Sequence, residues 1–277
     1  MRRRSTRARW GLAISTALVA VFVLAPIYWM VATSFKTAAN ASAQPPQLFP
    51  DPVSVENYGI AFVDHGFGQY ILNSLVVSVA ATVLVLVLGT LAGYALGRAK
   101  MRGTFTILVI LLVLSVFPVI ALIAPLYLMM RTIGWLNSYQ ALIIPYTALN
   151  LPFAIWILRN YFIGVPKEME ETARIDGASP LRTVWSVVLP MALPGVFTAG
   201  IFAFTACWTE FLMALSFNSA NEFRTIPVGI ALFGNAHITP FGAIFAASTV
   251  AVIPIAILVL VFKRSVVSGL TSGAIKG

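Results

Sequence analysis

The chain has 277 residues, of which 59% are hydrophobic and only 10% are charged. Soluble domains carry about 25% charged residues, so this composition excludes an ordinary soluble fold and favours a protein that faces lipid. The formal charge of +9 does not indicate nucleic-acid binding, because the basic residues form short clusters between apolar runs. The single cysteine, Cys207, cannot form an intrachain disulfide, and no His/Cys cluster has metal-ligand spacing. No cofactor is predicted on this chain.

Six stretches are apolar over the ~20 residues that a membrane-spanning helix needs. They are continuous rather than alternating, which is typical of helices and not of the strands of a membrane barrel. The sequence therefore predicts an all-α, polytopic membrane protein. In chain order the predicted spans are residues 11–34, 70–97, 105–130, 138–162, 193–217 and 241–262.

The first span follows an arginine-rich arm, as the apolar core of a signal peptide does. Such a core has only about 7–15 residues, whereas this run is longer. It ends in Tyr28-Trp29, a pair suited to the membrane interface. We therefore expect it to remain as the first span. The proline-rich stretch from Lys36 to Gln69 then forms an external loop with little regular structure.

The orientation follows from the basic residues, which are enriched on the cytoplasmic side of membrane proteins. If the arginine-rich N-terminus is cytoplasmic, only Lys36, Arg131 and Arg224 of the 18 basic residues fall outside. Both termini are then predicted to be cytoplasmic. The loop between the fourth and fifth spans is predicted to be cytoplasmic as well.

That loop, residues 166–190, reads VPKEMEETARIDGASPLRTVWSVVLP with its flanking valine, and it is charged in an otherwise apolar chain. Pro166 suits the first turn of a helix, Gly177 the left-handed residue that ends it, and Ser179 the cap of a second helix. We expect Pro190 to stop that second helix. Each helix has ~10 residues, about 15 Å, which is too short to span a bilayer. The alternative is an amphipathic hairpin that lies on lipid headgroups.

The pattern EETARIDGA followed by VVLP resembles the EAA loop of ABC-importer permeases, although Thr172 replaces the middle alanine of that motif. In that family the loop docks on a cytoplasmic ATPase dimer and transmits nucleotide-driven motion to the spans. The resemblance implies ATPase contacts at Glu171, Thr172, Ala173, Asp176, Gly177, Leu189 and Pro190.

Other segments resemble the carbohydrate-uptake branch of these permeases, of maltose and trehalose type: YILNSLVVS, LAGYALGRAKMRG, LNLPFAIWILRNYF and CWTEFLMAL. The resemblance implies a sugar substrate, an external solute-binding protein and a second, unlike permease in a bacterial inner membrane. The tail GLTSGAIKG resembles that of one member of the permease pair, whose tail enters between the ATPase subunits. The implied tail contacts are Gly269, Leu270, Thr271, Gly273, Lys276 and Gly277.

The resulting organisation has three parts. Residues 1–69 hold the N-terminal arm, the first span and the external loop, and residues 70–263 form the permease core with five spans. Residues 264–277 form the cytoplasmic tail.

Polar residues inside spans are costly and often functional. Glu210 lies ~17 residues into the fifth predicted span, about 25 Å along it and close to the external face. It either reaches water or caps a neighbouring helix, or it faces the translocation path together with Trp208. Asn73, Asn150 and Asn218 are weaker candidates for the path, since hydrogen bonds between helices explain each equally well.

The leading hypothesis is a permease subunit of an ATP-driven importer of disaccharides or oligosaccharides. It is not an enzyme, because no phosphate-binding glycine loop with GK[ST] occurs and hydrolysis is expected on separate ATPase chains. The alternative is an ion-coupled secondary carrier, which commonly uses buried ionisable groups and repeated halves. Only Glu210 lies well inside a predicted span, and no repeat of the halves is clear. A membrane-embedded enzyme would need a nucleophile–base or metal constellation, which the sequence lacks.

Overall fold

The computed structural model describes residues 6–98, 102–234 and 239–272, and within these ranges all regular structure is helical. Eleven helices are numbered here in chain order: α1 Thr6–Ser34, α2 Phe67–Arg98, α3 Thr104–Ser115, α4 Ile120–Thr132, α5 Gln140–Gly164, α6 Lys167–Ile175, α7 Pro180–Met191, α8 Leu193–Thr209, α9 Leu212–Phe217, α10 Ile226–Ala231 and α11 Phe241–Ser272. Shorter helical turns lie at Ala38–Ala41, Glu56–Gly59, Ile60–Asp64 and Asn221–Phe223.

Four helices, α1, α2, α5 and α11, are long and apolar enough to cross a membrane. Two further pairs pass the same test together but are bent: α3 with α4 by 92°, and α7 with α8 by 85°. The described residues therefore provide six spans if each bent pair crosses once. The predicted all-α, multi-span fold is confirmed.

The third predicted span, residues 105–130, was wrong as a continuous helix. Helix α3 ends at Ser115 and α4 begins at Ile120, with Pro118 between them. Proline has no backbone N–H, and its ring clashes with the carbonyl four residues earlier, so it breaks a helix interior. The segment bends sharply at this proline.

The fifth predicted span, residues 193–217, was also wrong as one helix. Helix α8 ends at Thr209, Glu210 is extended, and the separate helix α9 follows. The predicted end of the preceding helix at Pro190 agrees with the structure to within one residue, because α7 ends at Met191, before the bend to α8. A wide π turn over Val184–Val188 precedes this proline, and such a turn accommodates a residue that has no N–H to donate.

The chain forms two compact units, of which the first comprises the residues up to Gly68 together with 229–253. In this unit α1 is exposed from Trp10 to Tyr28, as expected of a helix surrounded by lipid. Beyond the end of α1, the amide of the buried Asn57 donates to the carbonyls of Ser34 and Lys36 at 3.1 and 2.6 Å. These bonds order the start of the external loop.

The second unit comprises Gln69–Val228 and the chain from Pro254 onward. One buried cluster contains Met130, Leu142, Tyr146 and Phe217. A second contains Val85, Leu158, Phe162, Val165 and Val188, and it lies beside the segment 166–190. Apolar burial in this second cluster therefore positions the candidate site.

Candidate coupling site

The segment 166–190 folds as two helices, α6 and α7, joined by a tight bend. Gly177 has φ +81°, and the N–H of Ala178 donates to the carbonyl of Ala173 at 2.9 Å, as in a Schellman helix end. The hydroxyl of Ser179 accepts from the N–H of Arg182 at 3.4 Å and caps α7. Local caps thus set the shape that the sequence predicted.

The predicted coupling residues divide by exposure. Glu171, Thr172, Asp176 and Gly177 are exposed, and the Thr172 hydroxyl donates to a backbone carbonyl of its own helix. Ala173 is buried on the face of α6 that packs toward its own chain, so its small side chain serves this internal contact. In α7, Leu189 is half-buried and Pro190 is exposed.

Large apolar side chains are exposed on the same segment, which the sequence reasoning did not single out. Ile175 is 86% exposed and Leu181 is 58% exposed, and Met169 and Trp185 are exposed as well. Exposed apolar groups beside charged ones are typical of a surface that binds a protein partner. Their signal in the sequence was an apolar residue on each side of the glycine bend.

Glu170 lies in the first turn of α6 and is buried there. Its Oε1 lies 2.7 Å from Nε of Arg98, and the two side chains are only 6% and 9% exposed. Its Oε2 accepts a hydrogen bond of 2.8 Å from the hydroxyl of Tyr94. Arg98 also donates to the carbonyl of Val165. We call Tyr94, Arg98 and Glu170 the buried triad.

The buried triad connects α6 with the end of α2. Both Tyr94 and Arg98 belong to α2, one turn apart, so they present neighbouring polar groups on one helix face. The ring of Tyr94 also packs edge-on against Phe162 of α5, with centroids 6.3 Å apart. In the sequence, the only indication of this contact was the pair Tyr94 and Arg98, four residues apart at the end of the second predicted span.

Glu210 acts as a helix cap in the structure. Its carboxylate accepts hydrogen bonds from the hydroxyl of Tyr146 at 2.6 Å and from the N–H of Met213 at 2.9 Å, in the first turns of α9. Trp208 is 3% exposed and stacks on Phe204 with ring centroids 5.3 Å apart. These contacts are those of the capping alternative, and a role for either residue in the translocation path stays a prediction.

The three asparagines lie in two different places. Asn150 donates to the carbonyl of Tyr146, one turn earlier in α5, at 2.8 Å. Asn73 is fully buried and donates to the carbonyl of Arg224 at 2.8 Å. Asn218 is also fully buried and donates to the carbonyl of Ser138 at 3.1 Å. Asn73 and Asn218 therefore hold the chain that follows α9.

The predicted tail contacts lie at the end of α11 or beyond it. Gly269, Leu270 and Thr271 belong to that helix, whereas Gly273, Lys276 and Gly277 lie outside the described residues. Among the residues that the structure describes, no three His, Cys, Asp or Glu side chains form a group suited to a metal ion.

The fold is similar to that of solved ABC-transporter structures. A chain of a bacterial ABC transporter involved in the import of the acidic polysaccharide alginate superposes with a TM-score of 0.80 at 23% identity, covering 95% of this chain and 99% of that one. A chain of the inward-facing MetNI methionine ABC transporter gives a TM-score of 0.55 at 21% identity, over 77% of this chain and 98% of its own length. The chain thus shares its fold with these two transporter chains.

Curated relatives are similar along nearly the whole chain. The sulfoquinovosyl glycerol transport system permease SmoH of Agrobacterium fabrum is 41% identical over 95% of this chain and 93% of its own length. The trehalose/maltose transport system permease MalG of Thermococcus litoralis is 38% identical over 99% of both chains. The trehalose transport system permease SugB of Mycobacterium tuberculosis is 36% identical over 96% of this chain and 97% of its own length.

Residues 85–272 match the profile of the family described as the binding-protein-dependent transport system inner membrane component. The chain belongs to this family. It is therefore a permease subunit of an ABC importer rather than an enzyme, and ATP hydrolysis belongs to a separate ATPase subunit. Importers of this family work with that ATPase and with a substrate-binding protein.

Proposed function

We propose that this permease imports a disaccharide or a short oligosaccharide, or a glycoside of similar size. The observation that carries the proposal is the similarity over more than nine-tenths of the chain to permeases named for sulfoquinovosyl glycerol, trehalose and maltose. A further relative, 35% identical, is named as a diacetylchitobiose uptake permease. These compounds share sugar rings joined through a glycosidic bond.

The segment 166–190 is the contact through which the ATPase drives the permease. Support comes from its exposed acidic residues, Glu171 and Asp176, and from the exposed apolar side chains of Ile175 and Leu181 beside them. Both helices are capped, so the segment is rigid enough to transmit a displacement. In this proposal the segment and both termini are cytoplasmic, and the tail from residue 264 reaches between the ATPase subunits.

A second, unlike permease completes the translocation path. One chain supplies half of that path from residues 70–263, while residues 1–69 supply the arm, the first span and the external loop. Glu210 and Trp208 border the path near the break between α8 and α9, while Asn150 contributes from α5, Asn73 from α2 and Asn218 from the end of α9. Support comes from the hydrogen bond between the Tyr146 hydroxyl and the Glu210 carboxylate, a polar pair within otherwise apolar helices.

Transport by a reconstituted assembly tests this proposal. The permease is placed in liposomes with its partner permease, the ATPase and the binding protein, and uptake of trehalose, maltose, diacetylchitobiose and sulfoquinovosyl glycerol is measured. We expect uptake of at least one of them to require ATP inside the liposomes, with an ATPase-dead subunit as the control. Uptake driven by a proton or sodium gradient without ATP would instead identify the secondary carrier that the sequence left as the alternative.

A further inference from the structure

The buried triad joins two parts of the chain that lie far apart in sequence. Arg98 is the last residue of α2, and Glu170 lies in the first turn of α6. Each carboxylate oxygen of Glu170 has a partner from α2: Nε of Arg98 at 2.7 Å and the hydroxyl of Tyr94 at 2.8 Å. The covalent chain connects α6 only to α5 and α7, so this contact adds a connection that the backbone lacks.

Both charges of this connection are shielded from water, and this makes the contact hard to open. Arg98 and Glu170 are 9% and 6% exposed, so separating them would leave two buried charges without partners. Arg98 additionally donates to the carbonyl of Val165, the residue that ends α5. One arginine therefore holds the end of α5 and the start of α6 against α2.

Close packing of α2 on α5 also holds the end of α2 in place. A Cβ atom built on Gly93 would lie 3.1 Å from the backbone nitrogen of Arg159, and one built on Gly89 would lie 3.2 Å from the side chain of Leu158. Small residues at four-residue spacing allow helix backbones to approach in membrane proteins. The end of α2 is thus held both by helix packing and by the buried triad.

We infer that the second span is a moving part of the coupling apparatus, because the buried triad obliges α2 to follow α6. Tyr94 and Arg98 are positioning residues: they act on the translocation path through Glu170 and do not themselves contact the ATPase. This inference rests on the coupling role proposed above for the segment 166–190. It adds to that role a direct mechanical route from α6 into a span that is not its neighbour in sequence.

A distance measurement tests the inference directly. Spin labels are attached to cysteines introduced by Val79→Cys in α2 and Met169→Cys in α6, both at exposed positions. Val79 lies about 28 Å along α2 from Arg98, so the label is far from the buried triad. The buried Cys207 is replaced by Ala, and the labels are measured by pulsed electron resonance in the full assembly. We expect the same narrow distance distribution without nucleotide and with ATP. A nucleotide-dependent shift of this distance in the wild-type background would overturn the inference.

Glu170→Gln breaks the charge pair and should broaden that distribution, because the side chain of Arg98 then lacks its counter-ion. Glu56→Gln is the control, since it removes an exposed carboxylate outside the segment 166–190. It should leave the distribution narrow. An equally narrow distribution in Glu170→Gln would overturn the inference, because the triad would then not be what holds α2 to α6.

Transport per ATP hydrolysed gives the functional readout. Glu170→Gln and Arg98→Gln should lower this ratio several-fold while ATP turnover continues, whereas Glu56→Gln should keep the wild-type ratio. The exchanged pair Arg98→Glu/Glu170→Arg should recover part of the loss, which a general folding defect would not. Tyr94→Phe keeps both charges and should give a smaller loss. Wild-type ratios in Glu170→Gln and Arg98→Gln would refute the inference.

A cross-link separates this inference from the proposed function. Glu171→Cys lies on the exposed face of α6 and should cross-link to the ATPase subunit. Without that cross-link the coupling role of the segment fails, and the inference fails with it. If the cross-link forms while α2 moves independently of α6, the coupling role stands and the inference alone is rejected.

Discussion

The hydroxyl of Tyr146 donates a hydrogen bond of 2.6 Å to Oε2 of Glu210, at the point where α8 gives way to α9. The other carboxylate oxygen accepts the N–H of Met213 at 2.9 Å. A carboxylate in an apolar bundle is costly unless its lone pairs have donors, and here both oxygens have them. The Tyr146–Glu210 pair thus stabilises an interruption within a hydrophobic segment.

Glu210→Gln should reduce sugar uptake while assembly and basal ATPase activity persist. The amide NH₂ would face the N–H of Met213 or that of Ala214, which can only donate, so one of these donors loses its acceptor at a cost of about 1–3 kcal/mol. Uptake rates over a range of substrate concentrations measure the effect. Glu222→Gln, at an exposed position in the chain that follows α9, is the control. Wild-type kinetics in Glu210→Gln would limit Glu210 to its capping role.

Gly177→Val should uncouple ATP hydrolysis from sugar movement. At φ +81° a residue with a Cβ pays roughly 1–2 kcal/mol, although no atom lies within 4 Å of the position where that Cβ would stand. The penalty is therefore in the backbone, and Gly177→Asn should be tolerated because asparagine adopts left-handed conformations more readily. Uptake and ATP turnover are measured on the same preparation. Normal coupling in the valine variant would show that the bend does not need this conformation.

Gly93→Ala should destabilise the packing of α2 on α5. The added methyl carbon would lie 3.1 Å from the backbone nitrogen of Arg159 and 3.3 Å from the carbonyl oxygen of Ile155. Backbone atoms yield little, so we expect a loss of about 1–3 kcal/mol in stability, as for other overpacked sites. The midpoint of thermal unfolding in detergent measures it. Gly164→Ala, at the end of α5 with no atom within 4 Å, should match the wild type.

Lys36 predicts a pH dependence of stability for the external loop. It lies beyond α1 and is buried, with Nζ 4.0 Å from the ring centroid of Trp29 and 2.7 Å from the carbonyl of Gln47. Burial lowers the pKa of Lys36 below its usual value, because desolvation disfavours the charged form.

The unfolded chain therefore holds this proton to higher pH than the folded protein does. The free energy of unfolding of the wild type, relative to that of Lys36→Met, should rise with pH. The rise should begin near the lowered pKa of Lys36 in the folded protein and end near its pKa in the unfolded chain, about 10.4. Thermal unfolding midpoints at a series of pH values measure the difference. Lys167→Met, at an exposed position, should follow the wild-type curve. If the stability of the wild type relative to Lys36→Met fell with rising pH, the pKa of Lys36 would be raised in the folded protein and not lowered.

Reporter fusions test the proposed topology. Fusions after residues 50, 100, 134, 175, 228 and 270 should alternate outside, inside, outside, inside, outside and inside. The physical reason is the bias of Lys and Arg toward the cytoplasmic segments. An external reporter at 175 would place the segment 166–190 on the side opposite the ATPase, and the coupling proposal would then fail.

The sequence by itself determined the spans and the bend of the segment 166–190, because both depend on local chemistry. Continuous apolar runs predicted the spans, because backbone groups in lipid must bond within their own segment. Gly177 and Ser179 predicted the bend between α6 and α7, since a left-handed residue and a capping hydroxyl act within a few residues of themselves. Pro118 was a similar local signal for the break between α3 and α4. It was overlooked because the whole run is apolar and was therefore treated as one span.

Only the tertiary structure decided which polar groups meet. Asn73 reaches the carbonyl of Arg224, 151 residues away in the chain, and Tyr94 reaches Glu170 across 76 residues. Glu170 and Glu171 are adjacent and carry the same charge, so the sequence alone does not distinguish them. Packing of α6 nevertheless buries Glu170 and leaves Glu171 exposed. The partner of a buried charge is set by which helices pack together, and that packing depends on the whole core rather than on any short stretch of sequence.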